Sequence, residues 1–150
     1  MTRSRFGLAF RAIIEASVSR AEATAGQDPE AVIFADREGV IRYWGSGAEA
    51  VFGHSAADAL GNSLDLIIPE RFRPAHWQAY ERAIESGETK YDGRVLTTRS
   101  VRKDGSKLFV DLSFTMVKDA HDAVLGALAT GRDCTARYLA ERQQREQSMQ

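Results

Sequence analysis

The clearest hydrophobic pattern in the chain is a helical one that runs from Pro69 to Gly87, PERFRPAHWQAYERAIESG. Counted at helical spacing, its apolar positions form one stripe, and charged or amide side chains fall beside or opposite that stripe. Because His76 lies on the stripe, it is predicted to point inward. An inward imidazole is either a core histidine bonded to a backbone group or a ligand for something held in the core. The stripe consists of Phe72, His76, Ala79, Tyr80, Ala83 and Ile84.

Helical patterns also occur at both ends of the chain. Residues 1–27 predict an amphipathic helix whose apolar stripe begins at Phe6 and ends at Ala21, with Gly26 as a stop signal. That apolar face could cover part of its own domain or form a dimer contact, and the pattern leaves both open. Residues 136–150 predict a polar helix with only a narrow apolar edge at Tyr138 and Leu139.

Between these helices the hydrophobic period changes to that of strands. Ala31 to Asp36 and Val40 to Gly45 predict a first hairpin, and a second hairpin is predicted around the turn residues Asp104 and Gly105. The predicted strands of the second hairpin are 94–102 and 107–117, and a final strand is predicted over 123–132. This order of strands and helices indicates an α+β fold with helices over one face of an antiparallel sheet.

The last two predicted strands carry the features that could surround a ligand. In residues 107–117 apolar and polar side chains alternate, so one apolar face is expected to meet the histidine helix. The final strand is rich in small residues, which would leave room for a bulky object near it. These small residues are Gly126, Ala127, Ala129 and Gly131.

Composition and charge restrict the class of protein. A chain of 150 residues with 43% hydrophobic and 27% charged residues is typical of one soluble domain. The net charge of -1 and the lack of a basic run argue against nucleic acid or a membrane as partner. A single cysteine, Cys134, excludes an intramolecular disulfide, and no signal peptide is apparent, so a cytoplasmic location is expected. No phosphate-binding glycine loop, metal-ligand spacing or nucleophile turn is present, which indicates a protein that is not an enzyme.

Four short motifs, in order along the chain, resemble those of the PAS family. DREGVIRYW (36–44) is similar to the first hairpin of the family, and FGHS (52–55) resembles its aromatic-Gly-Tyr-Ser turn. RKDGS (102–106) matches a later turn, and DCT (133–135) resembles the Asp-x-Thr link to an output helix. The resemblance covers roughly residues 31–135 and implies a PAS sensor domain with a five-stranded antiparallel sheet, an N-terminal helix within 1–27 and a signalling helix at 136–150.

The histidine helix is similar to that of one branch of this family, the haem-binding PAS domains of FixL-type oxygen sensors. The similarity rests on Pro69, Glu70, Phe72, Arg73, His76 and Arg82, followed by Gly87 and Glu88. It implies haem b as cofactor, with His76 as the proximal iron ligand through neutral Nε2. It also implies that Arg82 and Lys90 lie near the haem propionates and that the distal side is lined by Tyr91, Val110, Leu112 and Phe114.

One position departs from the oxygen sensors. Where that branch carries a distal arginine, an ungapped count from His76 gives Leu96. A leucine can neither donate a hydrogen bond to a bound gas nor ligate iron. The resemblance therefore implies a sensor of a diatomic gas, or of redox state, that favours CO or NO over O2 unless Tyr91 or another donor reaches the gas. Leu96 also supplies no acid-base group for peroxide chemistry.

The alternative is a PAS interaction module with an empty or small-metabolite core that forms a homodimer through its terminal helices. In either case the expected output is a shift of the strands over 94–117 that reaches residues 133–135, the terminal helices and a downstream signalling protein. His54 and His121 are expected in loops and not as ligands. The sequence around Cys134 lacks the Asn-Cys-Arg-Phe pattern of flavin photosensors, which argues against cysteine photochemistry.

Overall fold

The structure is a computed structural model, and it describes residues 30–89 and 94–149. The helix predicted within residues 1–27 and the predicted site residues Lys90 and Tyr91 lie outside these ranges.

Five antiparallel strands form a single sheet in the described residues. Its strand order is β2-β1-β5-β4-β3, so the first and last strands of the domain lie side by side near its centre. All five strands were predicted from the sequence, although β3 begins two residues later than the pattern indicated. The predicted fold class is therefore confirmed. The strands are β1 (Ala31–Asp36), β2 (Ile41–Trp44), β3 (Leu96–Val101), β4 (Lys107–Lys118) and β5 (Val124–Asp133).

Short polar residues close the two predicted hairpins. In the first, Asp36 Oδ1 accepts hydrogen bonds from the backbone N–H groups of Glu38 and Val40, each at 3.0 Å. In the second, Asp104 Oδ1 accepts from the N–H of Ser106 at 2.9 Å, and Gly105 adopts a φ of 85°. Aspartate and glycine suit these turns because one supplies a local acceptor and the other tolerates positive φ.

The helices between β2 and β3 lie over one face of the sheet. They are α1 (Ser46–Phe52), α2 (Ala56–Ala59), two 3-10 helices (Leu64–Ile67 and Glu70–Phe72) and α3 (Arg73–Ser86), and a final helix, α4 (Thr135–Ser148), follows β5. No helix within the described ranges is long and apolar enough to cross a membrane.

The histidine helix is shorter than its pattern predicted, and Phe72 is not on its buried face. Phe72 belongs to the 3-10 helix that precedes α3, and it is 37% exposed with the Arg71 guanidinium 4.6 Å from its ring centroid. The tighter winding of a 3-10 helix rotates this position away from the stripe that begins with His76. The C-terminal end of the helix agrees with the prediction. Helix α3 stops at Gly87, and this glycine adopts the left-handed backbone conformation, with φ 74°.

The packed core occupies the region between the sheet and the short helices. Ile41, Phe52, Leu108 and Val110 are completely buried there, and the Trp44 and Phe52 rings contact each other with centroids 5.5 Å apart. By contrast, Ile84 is the only residue of α3 that is fully buried. The helix therefore does not rest directly on the sheet, and a cavity separates the two.

Candidate ligand-binding site

A cavity of about 420 Å³ lies between α3 and the sheet. This volume falls within the range of about 300 to 1,000 Å³ that is usual for small-molecule and cofactor sites. Its sheet side is apolar because the alternating residues of three central strands point into it. These residues are Ile33, Ala35, Leu112, Phe114, Ala127 and Ala129.

Two hydrogen-bonding side chains hold α3 in position over this cavity. Trp77 Nε1 donates to Asp65 Oδ1 at 2.8 Å, which ties the helix to the preceding 3-10 segment. Tyr80 Oη donates to the carbonyl oxygens of Ala35 and Asp36 at the end of β1. Burial raises the pKa of the Tyr80 hydroxyl, so the group remains a neutral donor. Together these contacts fix the rotation of the helix and hence the direction of His76.

His76 lines the cavity, as the stripe predicted. Its ring lies edge-on to Trp77, with centroids 4.7 Å apart, and 5.8 Å from the Tyr80 ring. Its Nδ1 atom is buried without a hydrogen-bond partner among the described residues. Burial lowers the pKa of His76, while Asp65 opposes this shift. The ring is therefore neutral at physiological pH, which is the form that binds metals.

The chemistry around the cavity suits only one kind of metal centre. Across residues 30–89 and 94–149, no group of three or more histidine, cysteine, aspartate or glutamate side chains could hold a metal ion. A bare ion would find too few protein ligands there. A metal that arrives inside an organic ring needs only one axial ligand, and a single imidazole beside an apolar slot can supply it. The residues present thus fit a haem.

The remaining predicted site residues fall into two groups. Leu96, Leu112 and Phe114 line the cavity, with Leu96 paired to Leu112 across β3 and β4, and Arg82 lies exposed at its edge. Val110 does not line it. This residue has no exposed surface and belongs to the same packed core as Phe52, because the helices between β2 and β3 already cover the first part of β4.

The small residues of β5 serve two purposes. The sequence predicted that they leave room for a ligand, and this is true of the two alanines but not of the two glycines. Ala127 and Ala129 line the cavity. A Cβ atom on Gly126 would lie 2.1 Å from the Ala35 carbonyl oxygen, and one on Gly131 would lie 2.3 Å from the Asp111 carbonyl oxygen. The two glycines therefore permit close strand contact and leave no space for a ligand.

Sequence reasoning missed the polar wall of the cavity on β3. Thr98 and Ser100 lie on the same face as Leu96, and the Ser100 hydroxyl donates to the Ile67 carbonyl. Their even spacing from Leu96 was the available signal, since alternate strand residues share a face. Ser100 is thereby held in a contact that supports the fold, and the Thr98 hydroxyl donates to the Leu96 carbonyl oxygen at 3.3 Å.

The DCT motif joins β5 to α4, and its side chains form a set of hydrogen bonds. Asp133 Oδ1 accepts from the Thr135 N–H at 2.8 Å and from the Thr135 hydroxyl at 2.6 Å, and Asp133 Oδ2 accepts from Arg102 at 3.0 Å. Cys134 lies between Asp133 and Thr135, and its thiol donates to Asp111 Oδ1 at 3.4 Å. The thiol does not line the cavity. Burial, and then this hydrogen bond, raise the pKa of Cys134 to about 11, so the thiol is unreactive.

The sheet face opposite the cavity holds the start of α4. The Tyr138 ring stacks on Phe109 of β4, with centroids 4.0 Å apart, and Arg137 Nη1 lies 2.7 Å from Asp111 Oδ2. The hydrogen bond from Arg137 is the main reason that the pKa of Asp111 is lowered to about 2. Asp111 directly precedes Leu112, so neighbouring residues of one strand contact the helix and the cavity.

A ligand-sized apolar cavity on one face of a five-stranded antiparallel sheet, with the terminal helix α4 in contact with the other face, is an arrangement typical of α+β ligand-binding domains. The chain belongs to the PAS family, since the family model described as "PAS fold" matches residues 26–139.

Curated relatives of the chain include sensors. It is 26% identical over 106 residues to the oxygen sensor protein DosP of Escherichia coli, and 30% identical over 87 residues to the sensor protein FixL of Bradyrhizobium diazoefficiens. These alignments cover 71% and 57% of the chain, but only 13% and 17% of the relatives. The chain thus spans a small part of the length of these curated relatives.

Solved structures share the fold. A PAS domain from Colwellia psychrerythraea is 21% identical with a TM-score of 0.64, and the match covers 79% of this chain and 98% of that one. An RNA-binding light-oxygen-voltage receptor is 22% identical with a TM-score of 0.67, over 96% of this chain and 40% of that one.

Proposed function

We propose that this domain binds haem b in the cavity, with His76 as the proximal ligand, and senses a diatomic gas or a redox change at the iron. The observation that carries the proposal is the neutral imidazole of His76, which lines the apolar cavity between α3 and the sheet. When bound, the haem supplies a reducible iron with a vacant position for a gas.

The surroundings of His76 support this proposal. The sheet side of the cavity is apolar, as a flat porphyrin requires, and Arg82 at the edge could pair with a propionate. Lys90 is proposed for the second propionate and Tyr91 for the distal side, on the strength of the resemblance alone. The similarity to DosP, described as an oxygen sensor, is a further reason to propose gas sensing.

Leu96 determines the proposed gas preference. It lines the cavity on β3, and its side chain offers a gas no hydrogen bond. The affinity for O2 depends on such a hydrogen bond more strongly than the affinity for CO does, because the bound Fe–O2 unit is polar. CO and NO are therefore the proposed ligands. Thr98 and Tyr91 are the side chains that could modify this preference.

Visible absorption spectroscopy tests the cofactor. Protein produced with haem available should show a Soret band that shifts when dithionite and then CO are added, because CO occupies the vacant iron position. Protein that has no Soret band, or that carries a flavin spectrum instead, would contradict the haem proposal. Circular dichroism of the same sample serves as the control for folding.

A PAS interaction module is the second candidate, since an apolar cavity can also hold a small metabolite. It is favoured by α4, whose residues after Tyr138 are exposed and include Leu139 at 47% exposure, so that the helix presents an apolar contact to a partner. A colourless protein that folds and forms a homodimer through this helix would support it.

The proposed signal route crosses β4. A shift of Leu112 at the cavity would move its neighbour Asp111, and with it the ion pair to Arg137 on α4. Thr97 also donates to Asp111, at 2.6 Å, which joins β3 to the same carboxylate. From α4 the change would pass to a downstream signalling protein, as PAS domains commonly signal to attached or partner domains.

Removal of one charge should interrupt this route. The Arg137→Ala variant is expected to bind CO as the parent does, while the CO-dependent change in hydrogen exchange over residues 136–148 falls to background. The physical reason is that Asp111 loses its contact with the helix. Arg142→Ala is the matched control, because among the described residues Arg142 forms its ion pair with Glu146, farther along the same helix. A CO-dependent change that persists in Arg137→Ala would refute the route.

A further inference from the structure

Two aromatic rings of α3 flank the imidazole of His76. The imidazole centroid lies 4.7 Å from that of Trp77 and 5.8 Å from that of Tyr80, and the Trp77 and Tyr80 rings lie edge-to-face with centroids 5.6 Å apart. Rings at these separations are in contact, and packed side chains transmit displacement to one another. A shift of the imidazole is therefore passed first to these two rings.

Both flanking rings also contact the turn of the first hairpin, residues 36–40. Tyr80 Oη donates to the Asp36 carbonyl oxygen, which accepts in addition from the backbone N–H of Gly39 at 3.0 Å. The Trp77 ring packs so closely on the turn that a Cβ atom on Gly39 would lie 2.2 Å from it. The two rings thus form a continuous set of contacts between the histidine and the turn.

The turn is built around the side chain of Asp36. Its carboxylate accepts hydrogen bonds from the N–H groups of Glu38 and Val40, and it pairs with Arg42 of β2 at 2.8 Å. Asp36 is only 5% exposed, whereas Arg37 and Glu38 are exposed. A displacement of Asp36 would therefore alter the hydrogen bonds of the whole turn, at a surface that another protein can reach.

We propose that the 36–40 turn is a second output of this domain, coupled to His76 through the two flanking rings. The inference rests on the proposed function, because the change that starts it is gas binding at the haem held by His76. It is separate from the route to α4, which leaves the cavity through β4. Coupling between two sites is reciprocal, so a change in the turn should also alter gas binding.

Hydrogen exchange of the haem-loaded protein, with and without CO, tests the outward direction. In the parent, exchange over residues 36–44 should change when CO binds. Tyr80→Phe keeps the ring but removes its bond to the turn, so it should lose most of this change and keep the response over residues 136–148. Arg137→Ala should show the opposite pattern, because it interrupts only the route to α4. Tyr138→Phe, on the opposite face of the sheet, is the matched control and should keep both responses.

Two glycine variants test the reverse direction. Gly39 and Gly105 both lie in hairpin turns with positive φ, 79° and 85°, so alanine is strained at either position. A Cβ at Gly39 would displace the end of the Trp77 ring, whereas a Cβ at Gly105 would have no atom of the described residues within 4 Å. In an absorption titration, Gly39→Ala should change the CO affinity by at least about fivefold, and Gly105→Ala should leave it unchanged.

The outcomes distinguish this inference from the proposed function. A parent without a Soret band that responds to CO would overturn both. A parent that binds CO with no change in exchange over residues 36–44 would overturn the second output alone. Equal exchange responses in Tyr80→Phe and the parent, or equal CO affinities in Gly39→Ala and Gly105→Ala, would also overturn it. Circular dichroism checks the folding of each variant, and Tyr80→Phe, which adds no atoms, decides the matter if Gly39→Ala does not fold.

Discussion

The His76→Ala variant is expected to lose the Soret band, or to bind haem at least about 100-fold more weakly than the parent. Even residues that only support a metal ligand typically contribute about 10- to 100-fold to metal affinity, and here the axial ligand itself is removed. The apolar cavity would remain, but nothing in it would bond to the iron. Absorption titration of the purified protein with haem measures this loss.

The chain provides its own controls for this substitution. It has three histidines, and His54 and His121 do not line the cavity. His54→Ala and His121→Ala should therefore keep the Soret band and the CO shift. Added imidazole should restore the band in His76→Ala, because the free ring can enter the space left by the side chain. A His76→Ala protein with unchanged haem affinity would exclude His76 as the axial ligand.

Addition of a single methyl group at Gly126 is expected to destabilise the domain severely. Gly126 lies in the central strand β5, opposite Asp36 of β1 and Val117 of β4. The Cβ of the Gly126→Ala variant would lie 2.1 Å from the Ala35 carbonyl oxygen and 2.7 Å from the Phe34 ring. Neither strand can withdraw without breaking ladder hydrogen bonds, so the free energy of unfolding should fall by about 3 kcal/mol or more.

Gly45→Ala is the matched control for this prediction. The nearest atoms to a Cβ at Gly45 belong to Tyr43 and lie 3.4 Å away, which is an ordinary van der Waals distance. The variant should change the free energy of unfolding by about 1 kcal/mol or less. Urea unfolding followed by circular dichroism compares the two proteins. Equal midpoints would show that the close approach at Gly126 is unimportant.

Most of the fold could be predicted from local patterns. The alternation in β4, the Asp-Gly turn at residues 104–105 and the glycine stop at Gly87 depend on near neighbours in the sequence. Each pattern reflects a physical preference of a short segment, and the five strands and the histidine helix followed from such preferences. The motifs at residues 36–44 and 133–135 added the family, which the match over residues 26–139 confirms.

The arrangement of the site could be predicted only in part. His76 was assigned to the buried stripe because helical spacing is a local property. The resemblance placed Val110 on the distal side, but the structure buries this residue in the packed core, because a shared strand face does not fix a position along the strand. Thr98 was overlooked although it shares that face. The anchors of α3 were also missed, since Trp77 meets Asp65 and Tyr80 meets β1 only in the folded chain.

The sequence by itself thus determined the five strands, the histidine helix and the inward position of His76 on that helix. Tertiary structure alone decided that α3 stands away from the sheet over a cavity, and that Gly126 serves strand packing. It also decided that Asp111 joins the cavity wall to α4. The physical reason is that these features depend on contacts between residues distant in the chain, whose separations are fixed only when the strands pair.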